Sequence, residues 1–123
     1  MSLTLDENSA TYQIRAYQPG QIQVNDQFFV HSIIIAPEKL IDTWAPQMID
    51  ELKCEDLAAV IELHPTILLI GTGHTLQFPK LEIYGDLINY GIGVEIMNTH
   101  AACRTYNVLT AEGRNVAAAL LIK

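Results

Sequence analysis

Four consecutive apolar residues, Ile67-Leu68-Leu69-Ile70, stop abruptly at Gly71-Thr72-Gly73. A run with no polar residue on either side of its pleat has both faces covered, as an inner strand of an α/β sheet does. The segment at 79–90 then carries helical signals. Pro79 suits a first turn, Gly91 suits a C-terminal stop, and Leu81, Tyr84, Leu87 and Ile88 fall on one stripe. Residues 94–97 form a second buried strand. Thr99 is expected to cap a helix running to about residue 111, with Ala102, Tyr106 and Leu109 facing inward. Gly113 ends that helix, and residues 115–122 make a last apolar strand. Strands that alternate with helices imply crossover connections and a largely parallel central sheet.

The first half of the chain is richer in β signals. Residues 12–17 alternate apolar and polar, Pro19-Gly20 is a turn dipeptide, and Asn25-Asp26 supplies turn chemistry before the β-branched run at 28–35. This predicts a β-hairpin over 21–36, closed by Pro37. A further strand is expected at 39–45, carrying Trp44 toward the core. A short helix at 55–63 has acids in its first turn and is stopped by His64-Pro65. The first ten residues are polar and expected to be loose.

A chain of 123 residues with 50% hydrophobic content fills one core, so a single α/β domain spanning 1–123 is expected. No apolar run reaches the ~18 residues of a membrane-spanning helix. The opening MSLTLDENSA has two acids, no arginine and no apolar h-region, which points to a cytoplasmic location without a transmembrane segment. Cys54 and Cys103 lie far apart, as free thiols in a reducing compartment do. Fourteen acids against seven bases disfavour nucleic acid as a partner. The charge is also segregated. Asp42, Asp50, Glu51, Glu55, Asp56 and Glu62 face only Lys53, which gives either a solvated acidic face or an acidic docking face.

Ligands of open α/β sheets favour the crevice beyond the carboxyl ends of the strands. Two such ends are marked here, Gly71-Thr72-Gly73-His74 and Thr99-His100-Ala101-Ala102-Cys103-Arg104. The second opens a helix, whose free N–H groups favour an anion, and Arg104 adds a bidentate fork. Gly71, Thr72, Gly73, His74, Thr99, His100, Cys103 and Arg104 therefore form a candidate binding crevice for a small anion. The blander alternative has the glycines as turn formers, Thr99 as a cap only, and Arg104 paired with Glu95 or Glu112. The glycine loop lacks both the Gly-Lys-Ser/Thr ending of a P-loop and the third glycine of a dinucleotide fingerprint. Cys103 lies three residues after His100, on one helix face. A catalytic role for the pair requires a thiol that titrates well below an ordinary cysteine. The four histidines show no metal-ligand spacing, so neither a metal nor a cofactor is expected.

Three longer strings carry a resemblance: ILLIGTG at 67–73, GIGVEIMNTHAACRTYNVL at 91–109 and EGRNVAAALL at 112–121. They resemble the Mth-type domain family of unknown function, which includes the mitochondrial respiratory complex I assembly factor 3 proteins and many small bacterial proteins. The match extends over nearly the whole chain, with residues 33–37 and Trp44 in order. The resemblance implies a mixed central sheet flanked by helices, with the final strand antiparallel to its neighbours. It implies no established enzyme activity, and it implies protein partners for an accessory role. Independently of the resemblance, a sheet edge near the hairpin or a partly covered acidic face leaves room for a homo-oligomer. The family pattern falls on Gly71, Thr72, Gly73, Gly91, Glu95, Met97, Thr99, Ala102, Cys103, Arg104, Tyr106, Asn107, Glu112 and Arg114, without separating folding from binding.

Overall fold

The computed structural model describes residues 8–123. The expectation of a loose start at 1–7 lies outside the described residues. Residues 8–10 correct the rest of it. Asn8 and Ala10 are buried, and the Asn8 side-chain amide donates to Thr110 Oγ1 at 2.9 Å.

Among the described residues eight strands form two sheets. β1 (Ile14–Gln18), β2 (Gln21–Val24) and β3 (Gln27–Phe29) make an antiparallel meander. β4 (Ile33–Ala36), β5 (Lys39–Ile41), β6 (Ile67–Gly71), β7 (Gly93–Met97) and β8 (Val116–Leu120) make a five-stranded sheet in the order β5-β4-β8-β6-β7. The helices are α1 (Ala58–Leu63), α2 (Leu81–Tyr84) and α3 (Thr99–Ala111), with 3-10 turns at Ile49–Glu51, Cys54–Leu57 and Gly85–Tyr90. The turn between β2 and β3 works because Asn25 accepts a positive φ of 52°.

β8 is the axis of the structure. It runs parallel to β6 (Ile67 opposite Val116, Gly71 opposite Leu120) and antiparallel to β4 (Ile33 opposite Leu120). The last strand is thus antiparallel to one neighbour and parallel to the other, which corrects the expectation of two antiparallel neighbours. The sheet is mixed in equal halves rather than mostly parallel, because β4 and β5 join it as a hairpin. Every residue of β8 is buried, and Ala117, Ala118 and Ala119 keep both faces shallow enough for large side chains to cover them.

The strand period of two sends alternate residues to two separate cores. On one face Ile33, Ile35, Leu69, Val116, Ala118 and Leu120 meet α3 through Ala102, Cys103 and Tyr106, and the meander through Ile14, Ile22, Val24 and Phe29. On the other face Ile34, Leu68, Ile70, Ala117, Ala119 and Leu121 meet Trp44, Leu52, Leu57, Val60, Leu87 and Ile92. The result is three layers around a buried sheet.

Several local expectations need correction. The hairpin expected over 21–36 closes instead between β2 and β3, and β4 belongs to the other sheet. The apolar run 28–35 breaks at buried Ser32, whose Oγ accepts from the Ile122 N–H at 3.1 Å and whose N–H donates to Gln47 Oε1 at 3.1 Å. Trp44 is buried past the end of β5, with Nε1 donating to the Asp56 carbonyl at 2.9 Å. β7 is an edge strand with Gly93 and Glu95 exposed, not a second fully buried one. Of the stripe Leu81, Tyr84, Leu87 and Ile88, only Leu87 is fully buried.

Candidate functional site

The two loops expected to face each other do meet, in direct contact. The Thr99 N–H donates to the Gly73 carbonyl at 2.9 Å, and the Gly73 N–H donates to Thr99 Oγ1 at 2.8 Å. The same hydroxyl donates to the Leu121 carbonyl at 2.7 Å. A Cβ on Gly71 would lie 2.9 Å from Thr99 Oγ1 and 3.0 Å from Leu120 Cδ2. The space expected between the loops is therefore filled by Thr99 and the chain after β8. Gly71 and Gly73 allow that close approach.

Thr99 is not the cap of α3. Asn98 takes that place, its Oδ1 accepting from the Ala101 N–H at 2.8 Å. Asn and Thr are both good capping residues, and the one left over became a tertiary clasp. The N–H groups of Thr99 and Ala101, counted toward an anion at this helix start, are thus committed within the protein. Thr72 is buried, donating to the Thr75 carbonyl at 2.7 Å and accepting from the Gln77 N–H at 3.2 Å. His74 projects into solvent beyond it.

His100, Cys103 and Arg104 leave this junction and face β1 instead. His100 stacks on Tyr17, with ring centroids 5.7 Å apart and planes at 22°. Together with Ile14, Arg15, Ala16 and Asn107 they line a cleft of about 160 Å³. Asn107 ties its wall by accepting the Ile14 N–H at 3.1 Å and donating to the Ile14 carbonyl. Burial pushes the Cys103 thiol up to about 12, opposite to what a nucleophile needs. This removes the basis for a His100–Cys103 catalytic pair. Arg104 is exposed and pairs with neither Glu95 nor Glu112; the ion pair found among the described residues joins Arg114 to Glu112 at 3.9 Å. Arg15 and Tyr17 were missed from sequence because β1 lies far from α3 along the chain, and Asn107 was named only through the family pattern. No three of His, Cys, Asp and Glu among the described residues gather as a metal-binding group.

On the opposite face of the central sheet lies a different feature. Leu76, Phe78, Leu81, Ile88 and Tyr90 are all more than half exposed, and Phe78 reaches 71%. A groove of about 410 Å³ runs beside them, lined by Ile49, Asp50, Leu52, Gln77, Phe78, Pro79, Lys80 and Ile83. α2 packs against the turn Cys54–Leu57, which brings the acidic stretch alongside the apolar strip. Large apolar side chains left exposed close together in sequence, one of them lining a groove, are a usual feature of contact surfaces. The sequence held part of this signal, since Leu81 and Ile88 belong to the apolar stripe expected over 79–90, of which the structure fully buries only Leu87.

A mixed sheet with a helix and the antiparallel meander on one face and short helical segments on the other defines a small α/β domain. The chain belongs to the family described as "Protein of unknown function (DUF498/DUF598)", which matches residues 14–121. It is similar to the 13 kDa major membrane protein of Francisella tularensis, 29% identical over 98% of this chain and 99% of that protein. It is also similar to NADH dehydrogenase [ubiquinone] 1 alpha subcomplex assembly factor 3 of Danio rerio, 30% identical over 98% of this chain and 70% of that protein. The solution structure of a Mth938-like domain from Bordetella pertussis superimposes with a TM-score of 0.83 at 34% identity, covering 99% of this chain and 92% of that one. The family resemblance drawn from the three sequence strings is thereby established. No helix among the described residues is long and apolar enough to cross a membrane.

Proposed function

We propose that this protein is a non-enzymatic accessory factor that holds a protein partner during assembly of a membrane-associated complex, working from the cytoplasmic side. The observation that carries this reading is the strip of exposed apolar side chains at Leu76, Phe78, Leu81 and Ile88, flanked by acids. Leaving such side chains in water is unfavourable by roughly 1.5–3 kcal/mol each relative to burial, so a partner that covers them gains binding energy. The acids Asp50, Glu51, Glu55, Glu82 and Asp86 against Lys53 and Lys80 favour a partner segment with an apolar face and a cationic rim. The names of similar proteins support an assembly role, and one of them is called a membrane protein.

A photocrosslinking residue at Phe78 tests this, with Val108 on α3 as an exposed control position. The expected product is one recurrent subunit of a membrane complex, linked from position 78 and absent from position 108. Equal labelling from both positions, or loss of neither product in a Leu81→Ser, Ile88→Ser variant, would sink the reading. A crosslinked second copy of this chain would replace the accessory role with self-association.

A further inference from the structure

Two of the three arginines in a chain of net charge −7 line one cleft, between β1 and α3. Its wall includes Arg15, Arg104, His100 and Tyr17 and contains no Asp or Glu. Among the described residues neither arginine is ion-paired, whereas Arg114 has found Glu112. Acids outnumber bases two to one here, so a carboxylate-free wall holding two unpaired guanidinium groups is a local reversal of the protein's field. Such a concave reversal attracts negative charge, and each guanidinium offers a planar fork matched to a carboxylate or phosphate.

Three further observations shape the ligand. The wall is held in place, because Asn107 clamps both backbone groups of Ile14 and the His100 ring stacks on Tyr17. The Tyr17 hydroxyl is the buried side-chain polar atom left without a hydrogen-bond partner among the described residues, and such an unmet group is a usual position for a bound water or ion. The cleft's volume of about 160 Å³ corresponds to about five waters at their share of liquid volume. A space of that size fits a single small anionic group better than a whole drug-sized ligand, whose sites are ordinarily about 300–1,000 Å³.

We propose that this cleft binds a small oxyanion, the size of one phosphate or a short dicarboxylate, between Arg15 and Arg104 beside the Tyr17–His100 stack. The site lies on the face of the central sheet away from the apolar strip and does not depend on partner docking. It takes over Arg104 and His100 from the crevice expected at Gly71-Thr72-Gly73, whose space Thr99 fills.

The test is a titration of the isotopically labelled full chain with inorganic phosphate, pyrophosphate and succinate, each at constant ionic strength with chloride as the control. At least one probe should move the backbone amides of residues 14–17 and 100–107 and saturate below about 10 mM. Binding should weaken by about tenfold or more in Arg15→Gln, Arg104→Gln, and stay unchanged in Arg114→Gln. Both cleft arginines are exposed, and the single variants give the same reading should the double variant misfold. Three silent probes would overturn the proposal. So would equal affinity in the double variant, or shifts confined to residues 71–73 and 98–99.

Discussion

Gly73 and Thr99 are joined twice, by the Gly73 N–H to Thr99 Oγ1 at 2.8 Å and by the Thr99 N–H to the Gly73 carbonyl at 2.9 Å. Thr99 Oγ1 also donates to the Leu121 carbonyl at 2.7 Å, so one buried hydroxyl ties the end of β6, the start of α3 and the chain leaving β8. Thr99→Val keeps the shape and strands a buried N–H and a buried C=O. Each stranded group costs about 1–3 kcal/mol. Urea unfolding should therefore show Thr99→Val well below the parent and Thr99→Ser close to it. Equal stability of Val and Ser would show that the hydroxyl contributes nothing.

The two glycines of that junction should respond differently to a methyl group. At Gly71 the added Cβ meets Thr99 Oγ1 at 2.9 Å and Thr99 Cα at 3.0 Å, a clash that small shifts can relieve in part. At Gly73 the backbone sits at φ 99°, which strains any L side chain, and a Cβ would run into the Lys123 main-chain oxygen, so the chain end must be pushed away. Gly71→Ala is expected to lose on the order of 1–3 kcal/mol as an overpacked core does. Gly73→Ala is expected to lose more, and to release residues 121–123 as read by faster amide exchange there. Matching losses would refute the distinction.

Burial has a pH consequence at Cys103. Its thiol is neutral in the fold and pushed from an ordinary value near 9 up to about 12, so the unfolded chain ionises first as pH rises. The associated stability is complete below pH 9 and is lost as pH climbs from about 9 to about 12. Tyr106, also raised by burial, acts in the same direction. Cys103→Ala should flatten the fall in unfolding midpoint across that window. In the native protein at pH 8, iodoacetamide should label exposed Cys54 and leave Cys103 untouched until denaturant is added. Labelling of both at one rate would contradict the buried, protonated thiol.

How much of this was legible in the chain depends on what each signal encodes. Ile67-Leu68-Leu69-Ile70 announced an inner strand because covering both faces leaves no room for a polar residue, and β6 is one. Residues 115–122 announced a strand equally well, yet not its place between β4 and β6, since pairing partners are set by tertiary packing. The alanines at 117–119 were the available hint, being too small for an edge. The stripe at 81–88 did not hold as one face, because the segment changes from α2 (Leu81–Tyr84) to a 3-10 turn (Gly85–Tyr90), which buries Leu87 and leaves Leu81 and Ile88 exposed. For the candidate crevice, sequence reasoning put Gly71, Gly73 and Thr99 together, as they are. It could not see that their closeness leaves no space, nor that His100 and Arg104 turn toward Arg15.

Asn107 should behave as a hinge pin between α3 and the meander. Its side-chain amide replaces a strand partner for Ile14, and the neighbouring Tyr106 hydroxyl donates to the Tyr12 carbonyl at 2.8 Å. Asn107→Ala leaves two backbone groups of β1 unpaired while the five-stranded sheet keeps its own ladders. Amide exchange should accelerate at Ile14 and across β1, with protection in β6 and β8 retained. Uniform acceleration through both sheets would show a single cooperative unit instead.

The apolar strip separates stability from docking in a way that the buried residue beside it does not. Phe78, Leu81 and Ile88 are 71%, 63% and 66% exposed, so changing any of them to Ser removes little packing and should alter stability by no more than about 0.5 kcal/mol. Leu87, at 2% exposed on the same segment, is part of the core, and Leu87→Ala should lose about 2–5 kcal/mol. If the strip is a partner's seat, the exposed positions carry contact energy instead. Truncating a central anchor such as Phe78 then costs about 2 kcal/mol of binding, roughly thirtyfold in affinity. Unfolding curves alongside partner capture for Phe78→Ser and Leu87→Ala check both halves. Phe78→Ser should melt with the parent and fail to capture, because the side chain that leaves the fold indifferent is the one a partner must cover.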